Sequence, residues 1–219
     1  MNNAEVRAEY EAMQLQYYTR REEVANAITH GIGVPVAFAF MIYFLIVATT
    51  FAQVVTALFM CLAAILVYTT SCVYHALTVK SYKRIARKFD HANIGLLVTA
   101  CSVPYMLMLS THYWNYVSLA LCLAICALDA ALCFIDLMKF KKLGVIFNVV
   151  IGALGLSAFC VNADLIPAET TWIYAAALAS CVLGLLPYCL KNLRYAHTLF
   201  HIFTLVGPVL FMTGTVFLF

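Results

Sequence analysis

The chain has 219 residues, 65% hydrophobic and 11% charged, with a mean hydropathy of +0.94 and a formal net charge of +3. A water-soluble domain of this length cannot hide that much apolar surface, whereas a polytopic membrane protein does not need to. The net charge is too small to argue for a nucleic-acid partner, and where the charges fall matters more than their sum.

Met1 to Glu23 is polar and tyrosine-bearing, with no apolar core or small-residue cleavage site. It is expected to be a cytoplasmic amphipathic or disordered arm rather than a cleavable signal. The expected division is an arm over 1–24 and one transmembrane domain over 25–219. Seven apolar segments follow, over 27–49, 53–78, 90–110, 114–138, 143–162, 170–190 and 195–218. Each has about 20 or more residues, enough to cross a ~30 Å hydrocarbon core as a helix. The fold class read from this pattern is all-α, a seven-helix integral membrane bundle.

The connections alternate in charge. Arg20 and Arg21 precede the first segment, and Lys80, Lys83, Arg84, Arg87 and Lys88 fill the second connection. Lys139, Lys141 and Lys142 fill the fourth, and Lys191 and Arg194 the sixth. The others carry no Lys or Arg: Thr50-Phe51-Ala52, Ser110-Thr111-His112-Tyr113, and Asn162 through Glu169. The positive-inside rule therefore predicts a cytoplasmic N-terminus and an outside C-terminus, in keeping with an odd number of segments.

Smaller features fit this layout. Tyr113, Trp114 and Tyr116, and then Trp172 and Tyr174, are expected to form outer aromatic belts. Gly144, Gly152, Gly155 and Gly184 are expected to mark close helix contacts. The nine cysteines all fall in apolar runs without a CxxC pair, so they read as small hydrophobes rather than a disulfide framework.

The polar residues left inside the segments converge on one depth. His75 lies five residues before Lys80, which puts it ~7 Å inside the cytoplasmic edge at ~1.5 Å per residue. Asp90 lies two residues after Lys88, ~3 Å in, and His197 and His201 lie three and seven residues after Arg194, ~4 to 10 Å in. His197 and His201, four apart, share one helix face, as a bidentate chelate requires. Ser71 sits one turn before His75 on the same side of its helix. Glu22, Glu23, Asn26 and His30 approach the same layer from the first segment.

Ionisable groups inside a membrane are costly and mark function. Three imidazoles leave an open position on tetrahedral zinc, the arrangement of catalytic rather than closed structural sites. Asp90 is then a candidate base for a water or an acceptor orienting an imidazole, and Ser71 a candidate donor to a substrate oxygen or to the water. The alternative is a polar floor that only locks helices together, though such glue is more often Ser, Thr or Asn. No Glu stands between the two histidines as in an HExxH helix, so any base must come from another helix. Asp129, at mid-membrane on segment four, is read as paired there or protonated.

Four stretches carry a resemblance: Glu22-Glu23-Val24-Ala25-Asn26-Ala27-Ile28-Thr29-His30-Gly31-Ile32-Gly33, Ser71-Cys72-Val73-Tyr74-His75, Lys88-Phe89-Asp90-His91 and Tyr195-Ala196-His197-Thr198-Leu199-Phe200-His201. In these the chain resembles the hemolysin III proteins, within the larger group that includes progestin and adiponectin receptors and relates to membrane ceramidases. The resemblance implies seven helices, a cytoplasmic N-terminus and zinc held by His75, His197 and His201, with Asp90 and Ser71 attending the metal-bound water. Two departures stand out. Phe200 occupies a place where the family often has tryptophan, and Gly207-Pro208-Val209-Leu210-Phe211 lacks a further histidine often found there.

The leading functional expectation is a zinc-dependent hydrolase of lipid amides or esters in membrane-lipid homeostasis. The alternatives are a receptor or sensor with structural zinc, and a cytolytic membrane-active protein. Membrane lipids are the expected environment and substrate, nucleic acid is not a partner, and the expected location is the plasma (inner) membrane of a bacterium.

Overall fold

The computed structural model describes residues 3–109, 112–190 and 193–219; Ser110, Thr111 and Lys191 of the charge pattern lie outside the described residues. The arm carries a short helix α1 (Asn3–Ala12). The long helices are α2 (Arg20–Val47), α3 (Phe51–Ala76), α6 (Tyr113–Val161), α7 (Ala168–Cys189) and α8 (Ala196–Thr215). Between α3 and α6, α4 (Lys80–Ala92) and α5 (Ile94–Val103) run on into a π-helical turn, Pro104–Met108.

Among the described residues six helical stretches are long and apolar enough to cross a membrane, and one of them counts twice. α6 has 49 residues, about 74 Å at ~1.5 Å per residue, more than two hydrocarbon thicknesses. Asp136 breaks it, with extended backbone at φ −155° and ψ 92°. The Asp136 carboxylate accepts the Lys139 N–H at 3.1 Å, capping the helix that restarts there. The halves 113–135 and 137–161 fold back on each other. The Trp114 indole donates to Ser157 at 2.9 Å, and the amides of Asn115 and Asn162 exchange hydrogen bonds at 3.2 and 2.9 Å. The bundle therefore has seven crossings, with the fourth turn at Asp136 rather than in the 138–143 stretch expected from the lysines. An aspartate N-cap, not a run of loop residues, makes the reversal.

Burial is inverted relative to a soluble protein. Large apolar side chains such as Ile46, Ile135, Val149 and Leu186 are exposed, while Asn26, Thr56, Ser71, Thr99, Asn115 and Thr170 are fully buried. This is the distribution a lipid-facing surface requires, because polar groups must find partners inside the bundle. Phe44, Met60, Tyr68, Leu97 and Met212 form the main core between α2, α3, α5 and α8. Tyr105, Met106, Ala158, Ile166 and Tyr174 form a second.

Several expectations need correction. The first membrane helix starts at Arg20, inside the expected arm, because Thr19 and Glu22 form a capping box. The basic second connection is itself a helix, α4. Tyr174 is core rather than belt, its hydroxyl 2.8 Å from that of Thr215, whereas Trp172 is exposed as expected. A Cβ at Gly144 would meet Asp129 Oδ1 at 2.9 Å, a close hairpin contact; one at Gly152 would meet nothing within 4 Å. The cysteines are all free thiols, as expected.

Candidate metal centre

The start of α2, the end of α3 and the start of α8 meet at the basic end of the bundle, the cytoplasmic end by the positive-inside rule. Capping fixes all three. The Thr19 N–H donates to Glu22 Oε2 at 2.9 Å, and Glu22 Oε1 accepts the Tyr195 N–H at 3.1 Å, tying α2 to the start of α8. Tyr195 there adopts a left-handed conformation at φ 59°. The Lys83 ammonium, buried at 1% exposure, closes the end of α3 by donating to the carbonyls of Tyr74 at 2.8 Å and Leu77 at 3.2 Å.

On this frame His75, His197 and His201 converge. One ligand nitrogen from each lies within 4.8 Å of the other two. Their ring centroids are 4.4 to 5.2 Å apart. His75 and His201 are buried, and His197 is half-buried.

Hydrogen bonds assign which nitrogen faces the centre. His75 Nδ1 lies 2.7 Å from Glu23 Oε2, a carboxylate that can only accept, so Nδ1 carries the proton and Nε2 keeps a lone pair. His201 Nδ1 donates to the Asn26 carbonyl at 3.2 Å, with the same consequence. The Nε2 atoms of His75 and His197 are buried with no hydrogen-bond partner. Buried ring nitrogens without a partner are rare, and two of them in one three-histidine group fit a metal ion. The donor set is nitrogen only, backed by a carboxylate, which suits a transition-metal ion rather than magnesium or calcium.

Asn26 is the clamp of the assembly. Its carbonyl holds His201, its Oδ1 accepts the Thr198 hydroxyl at 2.6 Å, and its Nδ2 lies 3.5 Å from His75 Nδ1. Glu23 is shared, with Oε1 2.9 Å from Lys83 Nζ. His30 packs parallel to His201 at 3.8 Å between ring centroids. Its Nε2 lies 3.3 Å from Thr204 Oγ1, whose own proton goes to the helix backbone. His30 is thus a wall behind His201, outside the ligand group.

The two other expected residues sit beside the group. The Ser71 hydroxyl is buried one turn from His75 without a partner. Asp90 makes no hydrogen bond to the three rings; it lies 3.5 Å from His91 Nδ1, though its charge acts on His30, His75 and His197. Glu23, rather than Asp90, is the carboxylate that accepts from a ring of the group. The sequence does hold a signal for this: Glu23, Asn26 and His30 are spaced three and four apart, one face of α2.

The arm covers the group. Tyr18 stacks on His197 at 4.9 Å between centroids and meets His75 edge-on at 5.6 Å. Burial pushes the Tyr18 phenol well above its ordinary range, so it stays neutral. α1 is pinned by an ion pair between Glu9 and Lys80, and by Lys80 over the Tyr10 ring at 5.0 Å. Between arm and bundle lies a cavity of about 870 Å³ with His197 in its wall. Nothing in the sequence pattern marks Tyr18, since its contacts depend on the arm folding back.

Comparison with known proteins agrees with the fold. A family described as Haemolysin-III related matches residues 18–212. The Hemolysin-3 homolog of Bacillus subtilis (strain 168) is 26% identical over 196 residues, covering 87% of this chain and 91% of that protein. Hemolysin-3 of Bacillus cereus is 25% identical over 198 residues, covering 87% and 88% respectively.

Proposed function

The chain belongs to the haemolysin-III related family, and from that premise we propose that it is a zinc-dependent hydrolase of lipid amides or esters, acting in membrane-lipid homeostasis. The observation that carries this reading is the pair of orphaned Nε2 atoms, on His75 and His197, in one buried three-histidine group. Zinc held there would acidify a water and polarise a carbonyl. His75, His197 and His201 are the proposed ligands, a set that leaves a fourth position for substrate or water.

The chain's own residues supply the rest. Glu23 holds the proton of His75 Nδ1 and strengthens the opposite nitrogen as a donor to metal. The Asn26 carbonyl does the same for His201. Asp90, half-buried and without a hydrogen bond to the rings, is the proposed general base. Ser71, with its hydroxyl uncommitted, is the proposed donor to the substrate carbonyl oxygen. Tyr18 shields His197 from bulk water on the cytoplasmic side. The proposed location is the plasma (inner) membrane of a bacterium, with membrane lipids as substrate.

The test is release of fatty acid by purified protein from a panel of lipid amides and esters. Activity should appear with zinc, disappear on chelation and be absent in His201→Ala. No release across the panel by a zinc-replete protein would overturn the hydrolase reading in favour of a receptor or sensor. The name of the Bacillus cereus relative, Hemolysin-3, supports a second, cytolytic reading. That reading predicts leakage of protein-free vesicles on adding purified protein, which a hydrolase embedded in its own membrane would not produce.

A further inference from the structure

Arg87 is a buried charge that the histidine group does not use. It stands on α4 with 4% of its surface exposed, and among the described residues no carboxylate pairs with it. Its Nη1 donates to the Gln14 carbonyl and lies 3.6 Å from Met138 Sδ. A guanidinium carries five donors, so most of its capacity is uncommitted. Burying a cation without a counter-charge is costly, and the cost is removed by an anion that the site admits.

The surroundings suit such an anion. Arg87 lines the 870 Å³ cavity together with Tyr18, Tyr74 and Tyr188, and Arg194 stands at its rim. A tyrosine hydroxyl is protonated at neutral pH and can donate. Two carboxylates also line the cavity. Glu22 is already engaged by the N–H groups of Thr19 and Tyr195, and Glu11 is exposed. The cavity lies at the basic end of the bundle, with Arg7, Lys141 and Arg194 also in its lining. A planar fork flanked by hydroxyl donors matches the tetrahedral oxygens of a phosphate.

We propose that this cavity is a binding site for a phosphate-bearing anion, with Arg87 as its principal ligand and the tyrosine hydroxyls as supporting donors. The phosphate belongs either to a lipid headgroup or to a free ion, and the chemistry of recognition is shared. His197 shares a wall of this cavity, but the proposed phosphate ligands are other residues, and the proposal does not depend on the hydrolase reading.

Thermal unfolding of the detergent-purified protein tests it. Inorganic phosphate is compared with chloride at matched ionic strength, and dioleoylphosphatidic acid with dioleoylglycerol in the micelle. Both phosphate probes should raise the midpoint saturably and the two controls should not. Arg87→Gln should weaken apparent affinity by about tenfold or more, and Arg87→Lys by less, since it keeps the charge and loses the fork. A tighter response to phosphatidic acid assigns the lipid, and an equal one assigns the free ion. Should Arg87→Gln fail to fold, Tyr188→Phe and Arg194→Gln are each expected to weaken binding by about threefold with an unchanged ligand-free midpoint. No saturable effect in the wild type overturns the proposal, as does unchanged affinity in the folded Arg87→Gln or in both substitutes. The response should also survive metal stripping by a chelator; its loss there would move the phosphate to the histidines and overturn the proposal.

Discussion

The two ends of the bundle treat buried polar groups in opposite ways. At the end away from the basic connections most of them close on one another. Asn115 and Asn162 exchange amide hydrogen bonds, Thr170 donates to the Gly214 carbonyl at 2.9 Å, and Gln53 donates to the Phe219 carbonyl at 3.1 Å. At the cytoplasmic end the polar layer is left open. His75 Nε2, His197 Nε2, His30 Nδ1 and the Ser71 hydroxyl are buried there without partners. Thr56 and Ser118 at the other end, and Asn148 in the hairpin, each have one such atom, but not in a cluster of ligating side chains. Closed pairs lock helices and gain nothing from a guest. Open valences in a nitrogen-rich cluster have use for one.

The comparison breaks most visibly at the histidines. His75→Ala or His201→Ala should abolish bound metal and any hydrolysis, read by elemental analysis and lipid release, because two imidazoles alone hold zinc weakly. Glu23→Gln should keep the metal but weaken its affinity by about 10- to 100-fold in a chelator competition, since the carboxylate that accepts from His75 Nδ1 becomes a neutral, weaker acceptor. Asn162→Ala should act in the opposite sense. It should cost about 1–3 kcal/mol of stability by stranding Asn115, seen as a lower unfolding midpoint, while metal content stays at wild-type level. The smallest effect is expected along the hairpin. Gly152→Ala should be neutral or stabilising by up to about 1 kcal/mol in a thermal unfolding comparison. Gly144→Ala should be destabilising, because Asp129 must turn away.

How much of this was readable in the sequence follows from the range of the interactions involved. Apolar length and alternating charge are local signals, and they yield seven crossings and one shared polar depth. His75, His197 and His201 were legible because depth along a helix follows directly from residue count. The reversal at Asp136 was misplaced because its signal is a single capping aspartate, while the nearby lysines suggested a loop. Tyr174 was misassigned because an aromatic near a boundary points either to lipid or inward, and Thr215 from another helix decides which. Glu23 was seen at the right depth, but its bond to His75 joins residues 52 positions apart. Tyr18 and the burial of Arg87 depend on the arm folding over the bundle, for which the pattern holds no periodic signal.

The central claim is that the open layer holds a metal. Elemental analysis of protein purified without added metal or chelator tests this most directly. The account predicts about one zinc per chain, retained in Asn162→Ala and lost in His197→Ala. A folded wild-type protein that carries no metal and takes up none on incubation with zinc would contradict it.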